Sequence, residues 1–339
     1  MKTRVCMVPA VLAGLLISSA AAQEKVNPAP LTKEQMQQGW LALFDGQTTF
    51  GWEVKGGEAK VEDGVLRLSG GTTLTNTTRF DAFNLRFDVR GERADAVRVT
   101  FRDEPVTIGS LVSRATKRSD GWVTIEQKVA SGGRKLSFEV PSGATIELRN
   151  VLLQPQNLKS IFNGKDLTGW KEVPGKPSKY SVTENGELNV KNGGGELQSE
   201  GKYKDFVLQL DIISNGKHLN SGIFFRALQG EFWQGYEAQV RNQWEGDNRS
   251  KPVDFGTGGL YNRQPTRRVV STDGEWFTMT IVADGLHFAT WVDGYQTTDY
   301  VDQQPPAESA RKGSYDKPGV IGLQGHDPTT DLSFRNIKV

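Results

Sequence analysis

KYKDFVLQLDI (residues 202–212) carries Phe206, Leu208, Leu210 and Ile212 at every second position, with Asp205, Gln209 and Asp211 among the residues between. Side chains of a strand leave alternately to its two faces, so this stretch reads as a strand with one face in a core. RFDAFNLRFDV (79–89) is its twin, and the twinning extends along the chain. LALFDGQTTFGWEV (41–54) matches KSIFNGKDLTGWKEV (159–173), and VEDGVLRLSGG (61–71) matches VTENGELNVKNGG (182–194). SDGWVTI (119–125) matches TDGEWFTMTI (272–281), and the copies close alike with IELRNV (146–151) and LSFRNIKV (332–339). A period this long marks duplicated domains rather than a solenoid. EDG, ENG, ADG and VDG supply hairpin turns between short strands, so the chain is read as all-β, with two β-sandwiches or jelly rolls in tandem, the first shorter.

The opening MKTRVCMVPAVLAGLLISSAAAQEK (1–25) has a basic start, a short apolar run and small residues at 20–22. That is the pattern of a secretory signal peptide over 1–22, cut near Ala22, and it implies a secreted or periplasmic product. The one cysteine, Cys6, falls inside it, so the mature chain is expected to carry no disulfide or thiolate chemistry. No later segment approaches 18 unbroken apolar residues, and membrane insertion is not expected. Lys and Arg number 41 against 40 Asp and Glu, without a long basic run, which argues against a nucleic-acid or anionic-membrane partner. The organisation then reads as a linker with one short helix over 23–37 (in LTKEQMQQGW, 31–40), a shorter degenerate sandwich over 38–154, expected to be accessory, and a longer sandwich over 157–339 to which any catalysis would belong, with LQPQNL (153–158) at the boundary.

The copies differ where chemistry would sit. Between the paired motifs the first has Arg90 to Arg118, whereas the second has the far longer Ile213 to Ser271, holding NSGIFFR, GYEAQV and FGTGGLY. All three histidines, His218, His287 and His326, lie in the second copy. In GYEAQVRNQ (235–243), alternation sends Glu237 and Gln239 to one face, about 7 Å apart. The same reading sends Arg226 to one face of SGIFFRA, Trp291 to one face of LHFATWVDG, and Gln324 with His326 to one face of IGLQGHD. FGTGGLYN ends a glycine-rich loop at Tyr261. Each has a structural alternative: a solvated face for Glu237 and Gln239, an ion pair for Arg226, a surface turn for His326, a simple turn for the glycines. A concave sheet would instead gather them over one cleft, and His287 and His218 are weaker candidates.

IFNGKDLTGW, NSGIFFR, GYEAQV, TGGLYN, DGEWFTMTIVADG, IGLQGHD and FRNIKV, in that order, resemble the domain once called DUF1080, now described as 3-keto-glucoside lyase/hydratase or 3-keto-disaccharide hydrolase. The resemblance covers nearly all of 159–339 and, over 41–151, only the opening, DGW and closing motifs. It implies concanavalin A-like lectin/glucanase sandwiches and an enzyme acting on a 3-keto sugar or oligosaccharide. On such a substrate the C2 proton is acidified by the C3 ketone; its removal gives an enolate that expels the C1 substituent, and water addition completes a net hydrolysis. For that chemistry Glu237 or His326, the titratable groups on the polar faces, is expected to be the base, with Arg226, Gln239 and Gln324 holding ketone and hydroxyls and Trp291 and Tyr261 as rings to stack on sugar. The chain departs from the family at Arg241-Asn242, where members often carry an aspartate, so a cation-holding role there does not carry over. Three scattered histidines give no zinc signature. The metal question therefore stays open: no cofactor is assigned, although GDNRSKPVD (246–254) offers oxygens to a divalent cation. Two alternatives stand beside the lyase reading. A conventional glycoside hydrolase needs two carboxylates, for which Glu231 or Glu245 would join Glu237 in the absence of an E-x-D-x-E run. A non-catalytic carbohydrate-binding sandwich would hold sugar without turnover.

Overall fold

The computed structural model describes residues 25–112, 116–117 and 119–339; the signal-peptide reading and Cys6 lie outside the described residues. Each half of the chain forms a pair of antiparallel sheets, one of five strands and one of seven. In the second half the five-stranded sheet runs Trp170–Glu172, Gly195–Tyr203, Gly319–Gly325, Ser221–Ala227, Tyr236–Val240. Its seven-stranded partner runs Lys179–Val182, Leu188–Lys191, Asp331–Lys338, Phe206–Ser214, Phe277–Asp284, His287–Val292, Tyr295–Val301. The expected strand is present as Phe206–Ser214, with Phe206, Leu208, Leu210 and Ile212 all buried between the two sheets. The first half repeats the arrangement with shorter strands: its five-stranded sheet is Trp52–Lys55, Thr73–Asn76, Ser137–Glu139, Arg98–Thr100, Val106–Thr107. Both halves are all-β sandwiches, and no helix among the described residues is long and apolar enough to cross a membrane.

The closing motifs explain themselves in three dimensions. In the second half Asp211 accepts hydrogen bonds from Thr278 Oγ1 (2.8 Å), Asn336 Nδ2 (2.7 Å) and Arg335 Nε (3.4 Å). In the first, Asp88 accepts from Thr124 Oγ1 (2.7 Å), Asn150 Nδ2 (2.9 Å) and Arg149 Nε (3.3 Å). Asn336 and Asn150 both sit in the left-handed region, at φ 53° and 50°. Asparagine tolerates that conformation, and it lets the strand bulge. The guanidiniums of Arg335 and Arg149 lie 3.9 and 4.1 Å over Trp276 and Trp122. The recurring Arg-Asn pair and the recurring tryptophan thus form one knot, built twice.

The short helix is Lys33–Gln37, capped by Thr32, whose Oγ1 accepts from Gln35 N while Gln35 Oε1 accepts from Thr32 N. It lies against the second half: Asn27 Nδ2 donates to Asp293 O and Gln209 Nε2 donates to Gly39 O. The two halves meet over the outer face of the second half's seven-stranded sheet. Trp291 is wholly buried there, its Nε1 donating to Ala42 O (3.3 Å) and its ring 6.0 Å from Phe80. Arg79 pairs with Asp284 (3.1 Å), and Arg267 with Asp45 (2.6 Å). Trp291 therefore leaves the sheet on the face opposite the core and fills the joint between sandwiches; it is no sugar platform. Truncating it should cost roughly 3–5 kcal/mol, as for other buried aromatic residues. Chemical denaturation of Trp291→Ala checks this, and a loss under about 1 kcal/mol would show that the joint is not an energetic element.

Candidate functional site

The strand Tyr236–Val240 is buried along its whole length, on both faces. Tyr236, Ala238 and Val240 enter the core, as alternation requires. Glu237 and Gln239 face outward from the five-stranded sheet yet are only 4% and 1% exposed, because three loops fold over that face. The segment Gly258–Tyr261 is hydrogen-bonded alongside, with Gln239 N donating to Gly259 O and Tyr261 N to Glu237 O. The loop carrying Phe232 and Trp233 covers one side, and the loop carrying Arg311 covers the end. Between them opens a cavity of about 360 Å³ lined by Asn220, Phe232, Trp233, Glu237, Gln239, Asp254, Tyr261, Gln324 and His326. Five of the seven residues expected at the site, Glu237, Gln239, Tyr261, Gln324 and His326, therefore share one hollow.

Two glycines make room for two carboxylates on this face of the sheet. Gly222 lies across from Gln239 in the ladder, and a Cβ on it would stand 2.4 Å from Glu237 Oε1. Gly322 stands next to Phe224 and Gln198, and a Cβ there would stand 2.2 Å from Glu196 Oε1. Each carboxylate lies flat over a strand that offers no side chain, so both can be buried against the sheet. Glu237 is held by Arg311, whose Nη2 donates to Glu237 Oε2 at 2.8 Å. The Arg311 guanidinium in turn stacks 4.2 Å over Trp233 and 5.1 Å over Tyr261. Burial nevertheless keeps the Glu237 carboxyl above the usual carboxylate range, against the pull of Arg311. Glu196 has no exposed surface and does not line the cavity; it accepts from Gln198 Nε2 (2.9 Å) and from the Trp233 backbone N–H (3.1 Å). Burial, reinforced by the nearby Glu237 charge, pushes it up to about 7.

On the opposite wall His326 Nδ1 meets Asp327 Oδ2 at 2.9 Å, and its Nε2 lies 3.3 Å from Asn220 Nδ2. A proton on Nδ1 satisfies Asp327 and leaves a lone pair on Nε2, to which the Asn220 amide points. Burial opposes ionisation of Asp327, but hydrogen bonds from Thr329 and His326 hold it below its ordinary value. Asn220 also donates to Asp254 (2.8 Å) and accepts from Gln239 Nε2 (3.2 Å), while Gln239 donates to Asp254 as well (2.9 Å). The amide oxygens of Gln239 and Gln324, both buried, have no protein partner. Most buried polar atoms in folded chains are hydrogen-bonded, so these two acceptors stand out among the residues that line the cavity.

Two expected site residues lie elsewhere. Arg226 sits at a break in register between Phe224 and Ala227, at φ 48°, and the extra residue turns its side chain between the sheets rather than over the cavity. There it is fully buried and donates to Lys204 O, Tyr315 O and Gly285 O and to Asp205 and Asp316, so it ties strand ends together. Trp291 fills the joint between halves, as described above. His287 pairs with Asp299 at 2.6 Å near that joint, and His218 donates only its backbone N–H, to Asp273. The guanidinium of the site is Arg311, from an irregular segment with no periodicity to read. Glu196 had a signal, since GELQS (195–199) repeats the Glu-x-Gln spacing of YEAQV. Asn220 is the first residue of NSGIFFR and Asp254 directly precedes FGTGGLY, but neither falls in an alternating run. Among the described residues no group of three or more His, Cys, Asp or Glu is placed to hold a metal ion. In the loop 246–254 only Asp254 reaches the cavity.

The family model of the 3-keto-alpha-glucoside-1,2-lyase-like domain matches residues 39–150 and again 157–339. The chain belongs to this family. The match over the first half is fuller than its opening, DGW and closing motifs suggest, and membership makes this a carbohydrate-active protein. Among solved structures, the chain is similar to a "putative glycosyl hydrolase" from Parabacteroides distasonis, at 20% identity over 53% of this chain and 92% of that one, with a TM-score of 0.43. It is also similar to carbohydrate binding module CBM66 from Bacillus subtilis, at 18% identity over 50% and 94%, with a TM-score of 0.38. Comparison with curated sequences gave no significant match.

The raised carboxyl of Glu196 predicts a pH effect on stability. A group at about 7 when folded and at 4.5 when unfolded keeps its proton in the folded chain through that window. Unfolding there releases a proton, so rising pH favours the unfolded chain and stability falls between pH 4.5 and 7. Thermal unfolding followed across that range should show this slope in the native protein and a flatter one in Glu196→Gln.

Proposed function

We propose that the protein cleaves 3-keto-glucosides by removal of the C2 proton, elimination of the C1 substituent and rehydration, a net hydrolysis. The observation that carries this reading is the one cavity that joins His326, bonded through Nδ1 to Asp327, with a buried carboxylate clamped from behind by Arg311 and with two amide oxygens that have no protein partner. His326 takes the C2 proton on Nε2, with Asp327 keeping the other ring proton on Nδ1 and stabilising the imidazolium that forms. The developing enolate oxygen lies toward Arg311, whose charge is held in place by Glu237 and by the rings of Trp233 and Tyr261. As the C1–O bond breaks, its electrons stay with the departing oxygen, which takes the proton back from His326. Water then adds at C1 and a proton returns to C2, restoring the ketone. Gln239 and Gln324 accept hydrogen bonds from ring hydroxyls, and Tyr261 with the half-open Trp233 flanks the sugar.

His326→Ala should lower kcat on a 3-keto-glucoside by about 100-fold to 10,000-fold, the usual contribution of a general base. Glu237→Gln should lower kcat as well, by loosening Arg311. Product release is measured by chromatography with 3-keto-glucosides and with the unoxidised disaccharides in parallel. Full turnover by the doubly substituted protein would end the proposed mechanism. Saturable binding without release would favour a binding module, and release from unoxidised disaccharides alone a conventional hydrolase. The reaction is placed outside the cytoplasm by the leader pattern over 1–22 alone. N-terminal sequencing of the exported protein should begin near Gln23; an intact N-terminus in the cytoplasm would refute that placement.

A further inference from the structure

The repeated opening motif contains a difference with a structural consequence. FDG (44–46) and FNG (162–164) begin the same turn in the two halves. Asp45 Oδ1 accepts from the backbone N–H groups of Gln47 and Thr48, both at 2.7 Å. Asn163 Oδ1 accepts from those of Lys165 and Asp166, at 2.8 and 3.0 Å. A neutral amide oxygen therefore suffices for the two backbone bonds of the turn, to which Asp45 Oδ2 adds one from Thr48 Oγ1 at 2.8 Å. That Oδ2 also accepts from Arg267 Nη2 at 2.6 Å, across the boundary between the sandwiches. Arg267 Nη1 donates to Thr48 Oγ1, and its guanidinium lies 4.2 Å from Phe50 and 4.4 Å from Tyr295. Asp45 and Arg267 are 5% and 20% exposed, so water screens the pair little.

Arg267 belongs to the segment that walls the cavity. Upstream of it, Gly258 N and Tyr261 N donate to Gln239 O and Glu237 O, and Phe255 packs 5.2 Å from the Tyr261 ring. Thr266 N closes the loop onto Phe255 O, and Arg267 N donates to Thr297 O. We infer that Asp45, in the first sandwich, is a positioning residue for the cavity of the second: through Arg267 it fixes the Asp254–Tyr261 wall. The first half is then part of the working site rather than a detachable appendage. Asp45 touches no substrate, and its effect passes through Tyr261 and Asp254.

The test is Asp45→Asn in the full chain, which keeps the backbone bonds of the turn as Asn163 does and removes the charge. Hydrogen exchange is read by mass spectrometry on peptides covering 254–264, and KM and kcat are read on a 3-keto-glucoside. We expect faster exchange in that segment and a KM raised roughly threefold to tenfold, the range of coupling through a packed element, with kcat within about twofold of native. Arg267→Met, which breaks the pair from the other side, should reproduce both effects, and Arg267→Lys, which keeps the cation, should largely rescue them. Glu53→Gln, on an exposed pair with Lys55 in the same half, is the control and should change neither. Unchanged exchange over 254–264 in Asp45→Asn and Arg267→Met would overturn the inference, as would faster exchange spread evenly through both sandwiches. The kinetic arm rests on the function proposed above. Absence of turnover by the native protein would count against that function, while the exchange arm would still decide the role of Asp45.

Discussion

A carboxylate on the outward face of a sheet is ordinarily left in water. Glu237 is not, and most of the site follows from that. Removing it from water is costly unless a partner is supplied, and losing one partner of such a buried pair costs about 3–5 kcal/mol. Arg311 supplies the charge, Gly222 supplies the space, and the rings of Trp233 and Tyr261 hold the guanidinium flat. Three loops have to close over the sheet for this to work, and their closure leaves the hollow in which His326, Gln239 and Gln324 are found.

The support beneath that hollow is equally specific. Glu196 receives the backbone N–H of Trp233, and Gln198 binds Leu228 O and Glu231 O while accepting from Gly230 N. One Glu-x-Gln strand thus holds the loop whose tryptophan covers the other Glu-x-Gln strand. Arg226, Asp205 and Asp316 tie the far end of the same sheet to its partner. The polar groups buried in this half divide into those that shape the cavity and those that fasten strand ends. Residue type alone does not separate the two.

The two halves share a scaffold and differ in what they build on it. The Asp-Thr-Arg-Asn knot and its stacked tryptophan recur nearly atom for atom. The corresponding five-stranded sheet of the first half has shorter strands, and Thr75 and Ser137 simply bond to each other across its outer face at 3.0 Å. Along that face Thr73, Thr75 and Ser137 are only half-buried. What the first half contributes instead is a surface against which Trp291 and Arg267 settle.

The amino-acid sequence by itself determined the local geometry. The two-residue period of Phe206, Leu208, Leu210 and Ile212, the Asp/Asn-Gly turns and the paired motifs were enough for two all-β sandwiches, because alternation and turn chemistry are properties of neighbouring residues. They were enough, too, to put Glu237 and Gln239 on one face and Gln324 and His326 on another strand of the same kind. Only the tertiary structure decided which faces are covered. Arg226 obeyed its strand until a single bulged residue turned it inward, and Trp291 obeyed alternation but met another sandwich instead of a sugar. Arg311 comes from an irregular loop remote in sequence from the carboxylate it serves. Covering loops, bulges and domain joints depend on contacts between distant segments, and periodicity carries no information about those.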